Sequence, residues 1–335
     1  MKRFGRSGKA LGIAAVLMAA LVLVSVQVGS FPLSSNEIWD ILAGGRKGTT
    51  QAQVLWTLRL PRVWMGLLAG GALGLAGGVY QTLFGNPLAS PDLTGVASGA
   101  SLGAACAIVL GAGTSAQIMG GAFLMGMASL VLVLALVRWA GLERTGTYIL
   151  AGVIISSAAD AGLMVLKTVA DPEGELAAIE FWTMGSLAAM TADKVWPAAA
   201  AILIPALLIF LFRQRLLILS MGEESARTMG LAPGPWRSLL LGLTTLMVAA
   251  VVSVAGVVAF VGLIAPHITF LLLGRRGGPY LPLCALVGGD ILLAADLLAR
   301  SLAGGGELPL SIWTVCFGVP VLLALLVGQR GGRDG

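Results

Sequence analysis

Charged side chains are scarce in this chain, where Asp, Glu, Lys and Arg together make up 11% of 335 residues. A soluble domain of ordinary composition carries about 25% charged residues, so the composition excludes a typical water-soluble protein. Hydrophobic residues reach 57% and the mean hydropathy is +0.94, as in a polytopic membrane protein. The pI near 9.4 would suit nucleic-acid binding, but the basic residues are scattered over short loops, which favours a role in membrane topology.

Histidine and cysteine are also rare. With a single histidine, His267, we expect neither a histidine-based metal site nor a Ser-His-Asp hydrolase. This residue follows Pro266 and is predicted to satisfy carbonyls that the proline frees, with a transport role as the alternative. The three cysteines lie in apolar segments without metal-ligand or disulfide spacing. No G-x-x-x-x-G-K sequence occurs, so we predict no P-loop, no enzyme activity and no cofactor bound by this chain.

Apolar segments of membrane-spanning character recur ten times. They predict an all-α fold with about ten transmembrane helices in one domain, residues 1–335. Most of the 21 Lys and Arg residues fall in alternate loops that include both chain ends, so we expect both termini in the cytoplasm. The segments lie at about 11–29, 63–83, 94–112, 116–138, 147–169, 194–212, 236–256, 257–274, 280–299 and 310–328.

Glycine recurs every fourth residue in the second and third spans. In lipid such a stripe of small residues allows another helix to approach closely. The third span is predicted to begin at Ser90-Pro91-Asp92, with Ser90 as the N-cap and proline at the first helical position. The glycines expected at helix contacts are Gly66, Gly70, Gly74, Gly78, Gly95, Gly99 and Gly103.

Short helices are predicted on both sides of the membrane. Ser34 and Glu37 have the spacing of a capping box, which predicts an interfacial helix within the outer loop, at about 35–45. A second outer helical segment is predicted at about 172–190.

On the inner side, Ser220 and Glu223 repeat the capping-box spacing, and Gly230 is placed to end a helix at about 220–230. Its surface offers charged and methionine side chains to a partner protein, although a solvated connector helix would have the same pattern.

Three acids lie within apolar spans, where a charge costs several kcal/mol. Asp296 lies four residues before Arg300, and this spacing predicts an ion pair on one helix face. Asp160 and Asp290 are equally consistent with helix packing and with the lining of a cavity.

Six motifs follow one another along the chain. They are RLPR (59–62), G-x-x-x-Q (77–81), NPLASPDLTGVASGA (86–100), LSMGEESARTMG (219–230), FVGLIAPHI (260–268) and AD-x-x-AR (295–300), the last followed by ELP (307–309). Together they resemble the FecCD family, the permease subunits of type II ATP-binding-cassette (ABC) importers for iron chelates, haem and cobalamin.

The resemblance implies a permease that pairs with a second permease subunit, identical or related, in the bacterial inner or plasma membrane. Two cytoplasmic ATPase subunits would hold ATP and Mg, and an extracytoplasmic substrate-binding protein would deliver the cargo. It also implies an inner coupling helix for the ATPase, formed by Ser220, Met221, Gly222, Glu223, Glu224, Ala226, Arg227 and Gly230.

The resemblance further assigns Arg59, Arg62 and Arg300 to docking of the binding protein, where each alone would serve as an interfacial anchor. We expect replacement of Arg59 and Arg62 by Glu to impair docking and uptake while the protein stays folded. Gate positions along the translocation path are implied as well, although helix termination would explain some of them. They are Asn86, Leu88, Thr145 and Gly146.

The cargo predicted from the family is a ferric siderophore, with cobalamin or haem as alternatives. A proton-coupled secondary transporter that uses the intramembrane acids is the rival class, and a non-transporting membrane scaffold is a third.

Overall fold

The computed structural model describes residues 2–29, 31, 33–111, 113–141, 145–302 and 306–331. In these ranges the chain forms fifteen α-helices, a π-helical turn at Val54–Arg59 and a 3₁₀ turn at Pro91–Thr94, which confirms the all-α prediction. The helices are α1 (Lys2–Gln27), α2 (Ser35–Leu42), α3 (Thr50–Gln53), α4 (Leu60–Leu83), α5 (Val96–Val109), α6 (Ser115–Ala140), α7 (Thr145–Val169), α8 (Glu175–Thr183), α9 (Ala192–Leu211), α10 (Arg213–Leu219), α11 (Glu223–Thr228), α12 (Pro233–Ala255), α13 (Val261–Leu273), α14 (Tyr280–Ser301) and α15 (Leu310–Gly331).

Ten of these helices correspond to the ten predicted spans, but they differ in length. Within the described ranges, seven are long and apolar enough to cross a membrane. Helices α5 and α13 have only 14 and 13 residues. At 1.5 Å per residue each covers about 20 Å, less than the roughly 30 Å of a hydrocarbon core. Both are short because non-helical segments precede them.

Helix α4 is the centre of the bundle and is surrounded by α9, α12, α13 and α14. Its four regularly spaced glycines all lie against α14. A Cβ atom at Gly70 would overlap with the carbonyl oxygen of Gly288, and one at Gly74 would overlap with that of Cys284. The backbones of the two helices are therefore in direct contact, a geometry that only small residues permit. We call this contact the α4–α14 seam.

A second glycine contact joins α5 to α6. A Cβ atom at Gly99 would lie 2.9 Å from the carbonyl oxygen of Met125, and one at Gly103 would overlap with the carbonyl oxygen of Gly121. The two glycine stripes therefore pack against different helices, α4 on α14 and α5 on α6, so the second and third spans do not form one close-packed hairpin.

The predicted start of the third span is confirmed in position, with Ser90 as the N-cap residue and Pro91 as the first helical residue, but not as the start of a continuous α-helix. Residues Pro91–Thr94 form a 3₁₀ turn, and Gly95, with φ +70°, separates this turn from α5. The Ser90 side chain makes no capping hydrogen bond to the backbone, and its Oγ instead donates to Asp92 Oδ2 at 3.3 Å. Gly95 is therefore at the junction before the helix, where a Cβ atom would lie 3.0 Å from the Ser156 hydroxyl of α7.

The two predicted capping boxes have different outcomes. The Ser34 box is confirmed, because the Ser34 side chain accepts from Glu37 N–H and the Glu37 carboxylate accepts from Ser34 N–H. The Ser220 box is wrong, because α10 ends at Leu219 and Ser220 Oγ donates to the Leu217 carbonyl at 2.7 Å.

The inner helix starts later than predicted but ends as predicted. Gly222 is the N-terminal cap residue of α11, with φ +103° and no side-chain hydrogen bond. At the other end, Gly230 N–H donates to the Arg227 carbonyl and Leu231 N–H donates to the Ala226 carbonyl, both at 2.9 Å. This pair of bonds is a Schellman motif, so Gly230 ends α11.

An extended segment, residues 256–260, replaces the first turn of the predicted eighth span. Gly256 has φ +70° because its backbone lies against the Trp182 carbonyl, where a Cβ atom would overlap. Ser311 Oγ donates to the Val257 carbonyl at 3.0 Å, and Leu310 N–H donates to the Gly185 carbonyl at 3.0 Å. Irregular backbone within membrane depth needs such internal partners.

Candidate functional site

The three predicted docking arginines, Arg59, Arg62 and Arg300, lie together at the predicted outer end of the bundle. They are buried, with 6% exposure for Arg59, 9% for Arg62 and 5% for the Arg300 side chain. The outward-facing arrangement that the resemblance implied is not the arrangement in this structure, because other parts of the same chain cover all three guanidinium groups.

Arg62 is held between two carboxylates. Its Nε donates to Asp296 Oδ1 at 2.9 Å, and its terminal nitrogens donate to the two Glu307 oxygens at 2.6 and 2.9 Å. The Asp296 side chain is fully buried, whereas that of Glu307 is 32% exposed. Bidentate, charge-assisted bonds of this kind are strong and fix orientation. Glu307 is therefore the accessible edge of a buried ionic cluster.

The other two arginines bind backbone carbonyls at the end of α1. Arg59 donates to the carbonyls of Val26 and Val28 and, at 2.8 Å, to that of Phe31. Arg300 donates to the Val28 carbonyl at 3.0 Å, and its Nε lies 3.5 Å from Asp296 Oδ2. The predicted pairing of Asp296 with Arg300 is thus confirmed, although Arg62 is the closer partner of Asp296.

The cluster holds three positive and two negative side chains. Nη2 of Arg300 is buried and has no hydrogen-bond partner among the described residues. Because a buried charge is costly unless it is paired, this surplus of one positive charge favours an additional anion at the outer end.

The cluster changes what a charge reversal would do. Glu at position 62 would face Asp296 and Glu307, so that three carboxylates would share one largely buried site. The expectation that the protein stays folded after this replacement is therefore revised to a loss of stability.

The second candidate site is the predicted coupling helix at the inner end. Ala226 is fully buried in the main core, so it anchors α11 to the bundle. The exposed surface on and around the helix consists of Ser220, Met221, Gly222, Glu224, Arg227, Thr228, Met229 and Gly230. Such a mixture of methionines and opposite charges is suited to contact with another protein.

Glu223 lies at the edge of that surface, with 42% of its side chain exposed and its carboxylate engaged within the chain. Its carboxylate accepts from Arg237 Nη1 at 2.9 Å, and this bond ties α11 to the first turns of α12. Next to it, Trp236 is stacked under Arg215, with 4.1 Å from the guanidinium carbon to the ring centroid, and contacts Phe212 edge to face. The short helices α10 and α11 are therefore braced against α12.

The four predicted gate residues are near the turn after α4 and the start of α7. Asn86 Oδ1 accepts from Leu88 N–H at 2.9 Å, a local turn that helix termination alone would explain. The Leu88 side chain is 60% exposed, and Gly146 is exposed with open space around it. The side chain of Thr145 is outside the described residues.

Aromatic contacts join this turn to the inner helix. The Phe84 and Tyr148 rings lie 6.3 Å apart, and the Arg237 guanidinium lies 5.9 Å from the centre of the Tyr148 ring. Phe84, Tyr148, Arg237 and Glu223 thus form a continuous set of contacts that we call the inner relay. The relay was not predicted, since its members are distant in sequence.

Of the remaining predicted polar residues, Asp290 is buried and both of its carboxylate oxygens lack hydrogen-bond partners in the described ranges. His267 Nε2 is buried and also without a partner there, so its predicted bonds to freed carbonyls are not found.

Asp160 is half-buried on α7. The described residues contain no group of three or more metal-ligating side chains.

Comparison with known proteins gives one consistent family. The FecCD transport family matches residues 17–328. The hemin transport system permease protein HmuU of Yersinia pestis is 33% identical over 334 residues, covering 97% of each chain. The vitamin B12 import system permease protein BtuC of Escherichia coli O127:H6 is 36% identical over 320 residues, covering 95% of this chain and 94% of its own.

A molybdate relative and a solved structure extend the comparison. The molybdate import system permease protein MolB of Haemophilus influenzae is 33% identical over 326 residues, covering 95% of this chain and 96% of its own. A structure described as an inward-facing conformation of a putative metal-chelate type ABC transporter superposes with a TM-score of 0.86 at 32% identity. It covers 96% of this chain and 99% of that one.

Proposed function

This chain belongs to the FecCD transport family and is an ABC importer permease with the type II fold, and we propose that its cargo is an iron chelate, first of all a ferric siderophore. The observation that supports this most is the similarity over nearly the whole chain to a transporter described as metal-chelate type. The hemin and vitamin B12 permeases among the relatives make haem and cobalamin the alternative cargoes.

The surplus positive charge of the outer cluster supports docking of a substrate-binding protein at this end. A carboxylate of the binding protein would approach at the accessible edge of the cluster, next to Glu307. It would balance the surplus positive charge of the cluster, in which Asp296 and Glu307 face three arginines and Arg59 binds backbone carbonyls. Opposite-charge contacts of this kind steer the encounter and fix its register.

Helix α11 is the proposed contact with a cytoplasmic ATPase subunit. The exposed surface around Glu224 and Arg227 is available to the ATPase subunit. The Glu223–Arg237 ion pair would transmit a movement of α11 to α12. ATP and Mg would be held by two such ATPase subunits, and this chain would pair with a second permease subunit. Both termini would lie in the cytoplasm, as the positive-inside rule predicts.

Transport would proceed by alternating access between outward-open and inward-open states. ATP binding to the partners shifts this equilibrium only if the ATPase contacts α11 differently in the two states. Asn86, Leu88, Thr145 and Gly146 are the proposed inner gate, and the inner relay connects their neighbourhood to α11. A path with few charges holds its cargo weakly, which allows release.

The test is reconstitution of the permease in vesicles with an ATPase and a binding protein encoded beside it. Uptake of an ⁵⁵Fe-labelled ferric siderophore should require ATP and the loaded binding protein, and labelled haem and cobalamin serve as competing cargoes. Uptake of only one of the alternatives would overturn the siderophore assignment but leave the importer class intact.

A proton-driven carrier is the rival mechanism, and a separate experiment excludes or supports it. Vesicles that contain the permease alone should accumulate no cargo from an ion gradient, and Asp160→Asn should leave ATP-dependent uptake unchanged. Concentrative uptake without ATPase subunits would contradict the proposed class. A scaffold without transport function would show no substrate-stimulated ATP hydrolysis in the complete complex.

A further inference from the structure

A large apolar cavity surrounds the unpartnered carboxylate of Asp290. The cavity has a volume of about 590 Å³ and lies among α1, α13, α14 and α15. Its walls are formed by aliphatic and aromatic side chains such as Ile13, Leu17, Ile264 and Phe317. This volume is within the range of about 300–1,000 Å³ that is usual for small-molecule sites.

Asp290 is at mid-depth in the bundle. It is the eleventh of the 22 residues of α14, so it lies about 15 Å from either end of the helix. The neighbouring Gly288 faces α4 across the seam, whereas Asp290 lines the cavity on another side of α14. The carboxylate is thus near the middle of the hydrocarbon layer, where an uncompensated charge is most costly.

Nothing in the described part of the chain compensates this carboxylate. Asp290 is 5% exposed, and neither of its oxygens has a hydrogen-bond partner. Among the residues that line the cavity it is the only acid, none is basic, and the Cys316 thiol is the only other polar side chain. A buried acid of this kind is neutral by protonation unless a group with a positive charge or a proton donor compensates its carboxylate.

The α1 wall of the cavity lies on the surface of the chain. Ile13 and Leu17 on this wall are 70% and 49% exposed, and an apolar surface on a membrane-spanning helix is expected to contact lipid. A molecule that enters here must dissolve in hydrocarbon, and one that stays must satisfy the acid.

From these observations we propose that the cavity is a binding site for a hydrophobic amine. Its ammonium group pairs with the Asp290 carboxylate, and its alkyl body fills the space among α1, α13 and α15. The proposal is independent of the cargo, because the site opens to the membrane. An occupant would bridge α1 and α15, which otherwise both pack on α13 and α14.

The test uses the full-length permease in lipid nanodiscs with tritiated decylamine as the probe and decanol as the uncharged competitor. We expect one saturable site per chain, with decylamine bound at least tenfold more tightly than decanol. Asp290→Asn should reduce this preference to less than threefold, while Asp160→Asn, which changes the intramembrane acid of α7, should leave it unchanged.

A second variant keeps the proposal testable if Asp290→Asn does not fold. Ile13→Trp adds bulk at an exposed position on the cavity wall and should weaken decylamine binding at least fivefold without unfolding the protein. Equal affinities for decylamine and decanol would overturn the proposal, and so would undiminished binding to either variant. ATP-dependent uptake by the complete importer is measured in parallel, so that loss of the amine site is distinguished from loss of transport.

Discussion

Substitution of Gly77 by alanine tests the close packing around α4. Gly77 faces α13, where a Cβ atom would overlap with the carbonyl oxygen of Gly262 and lie 2.6 Å from its carbonyl carbon and 3.0 Å from its Cα. Non-bonded carbon atoms prefer about 3.5–4.0 Å. Judged from the carbon contacts alone, the two backbones must separate by about 1 Å, and the overlapping carbonyl oxygen requires more. Neither backbone can rotate out of the way as a side chain could.

The magnitude follows from two opposing terms. Alanine in a helix interior is favoured over glycine by about 1 kcal/mol. Overpacking costs about 1–3 kcal/mol, and a contact with rigid backbone belongs at the upper end of that range. We therefore expect Gly77→Ala to lower stability by about 2 kcal/mol net.

Gly71→Ala on the same helix is the matched control. There the Cβ atom would lie 3.5 Å from the Ala285 carbonyl oxygen, an ordinary contact, so only the gain in helix propensity remains. The assay heats the protein and follows the monodisperse fraction by fluorescence-detected size exclusion. The temperature at which half of this fraction is lost should fall by several degrees for Gly77→Ala and stay level or rise for Gly71→Ala. Equal midpoints for the two variants would refute the backbone contact.

Three further outcomes follow from the ion pairs. Arg62→Leu leaves the fully buried Asp296 carboxylate without its closest partner and should destabilise the permease by about 3–5 kcal/mol, whereas adding Asp296→Leu should restore part of the loss in thermal stability. Glu307→Gln frees Arg62 at the accessible edge, so the affinity for the binding protein, measured by surface plasmon resonance, should rise about threefold or more. An unchanged affinity would show that Glu307 takes no part in docking. Glu223→Gln should lower substrate-stimulated ATP hydrolysis while the ATPase still co-purifies, whereas Glu224→Gln should weaken co-purification; the reverse result would contradict the assignment of Glu223 to transmission.

The helices were predictable wherever the information is local. Long apolar runs placed the spans, and the Ser34–Glu37 spacing predicted α2 with its cap. The Ser220 spacing had the same form but failed, because Gly222 adopts φ +103° and the Glu223 carboxylate is taken by Arg237 instead. Whether a capping box forms therefore depends on competing hydrogen-bond partners elsewhere in the chain, which the local spacing does not reveal.

The outer cluster shows the same limit at a larger scale. Arg62 and Asp296 are 234 positions apart, and Arg62 and Glu307 are 245 apart. The burial of Arg59 and Arg300 likewise depends on the end of α1, whose carbonyl groups they bind. The extended segment at 256–260 was missed for a related reason, since Ser311, which donates to the Val257 carbonyl, is 54 positions away at the start of α15.

Helices α4 and α14 connect the two ends of the molecule. Along the seam their backbones touch at Gly70 and Gly74, so the pair has no intervening side chains that could yield and moves as one unit. At the outer end this unit is clamped by Arg62 and Asp296, and at the inner end Phe84, directly after α4, contacts the relay that leads to α11. We infer that a binding event at either end acts on the same rigid pair. Separating the seam itself, as Gly70→Ala would do at the Gly288 carbonyl, should therefore reduce coupling more than it reduces assembly with either partner.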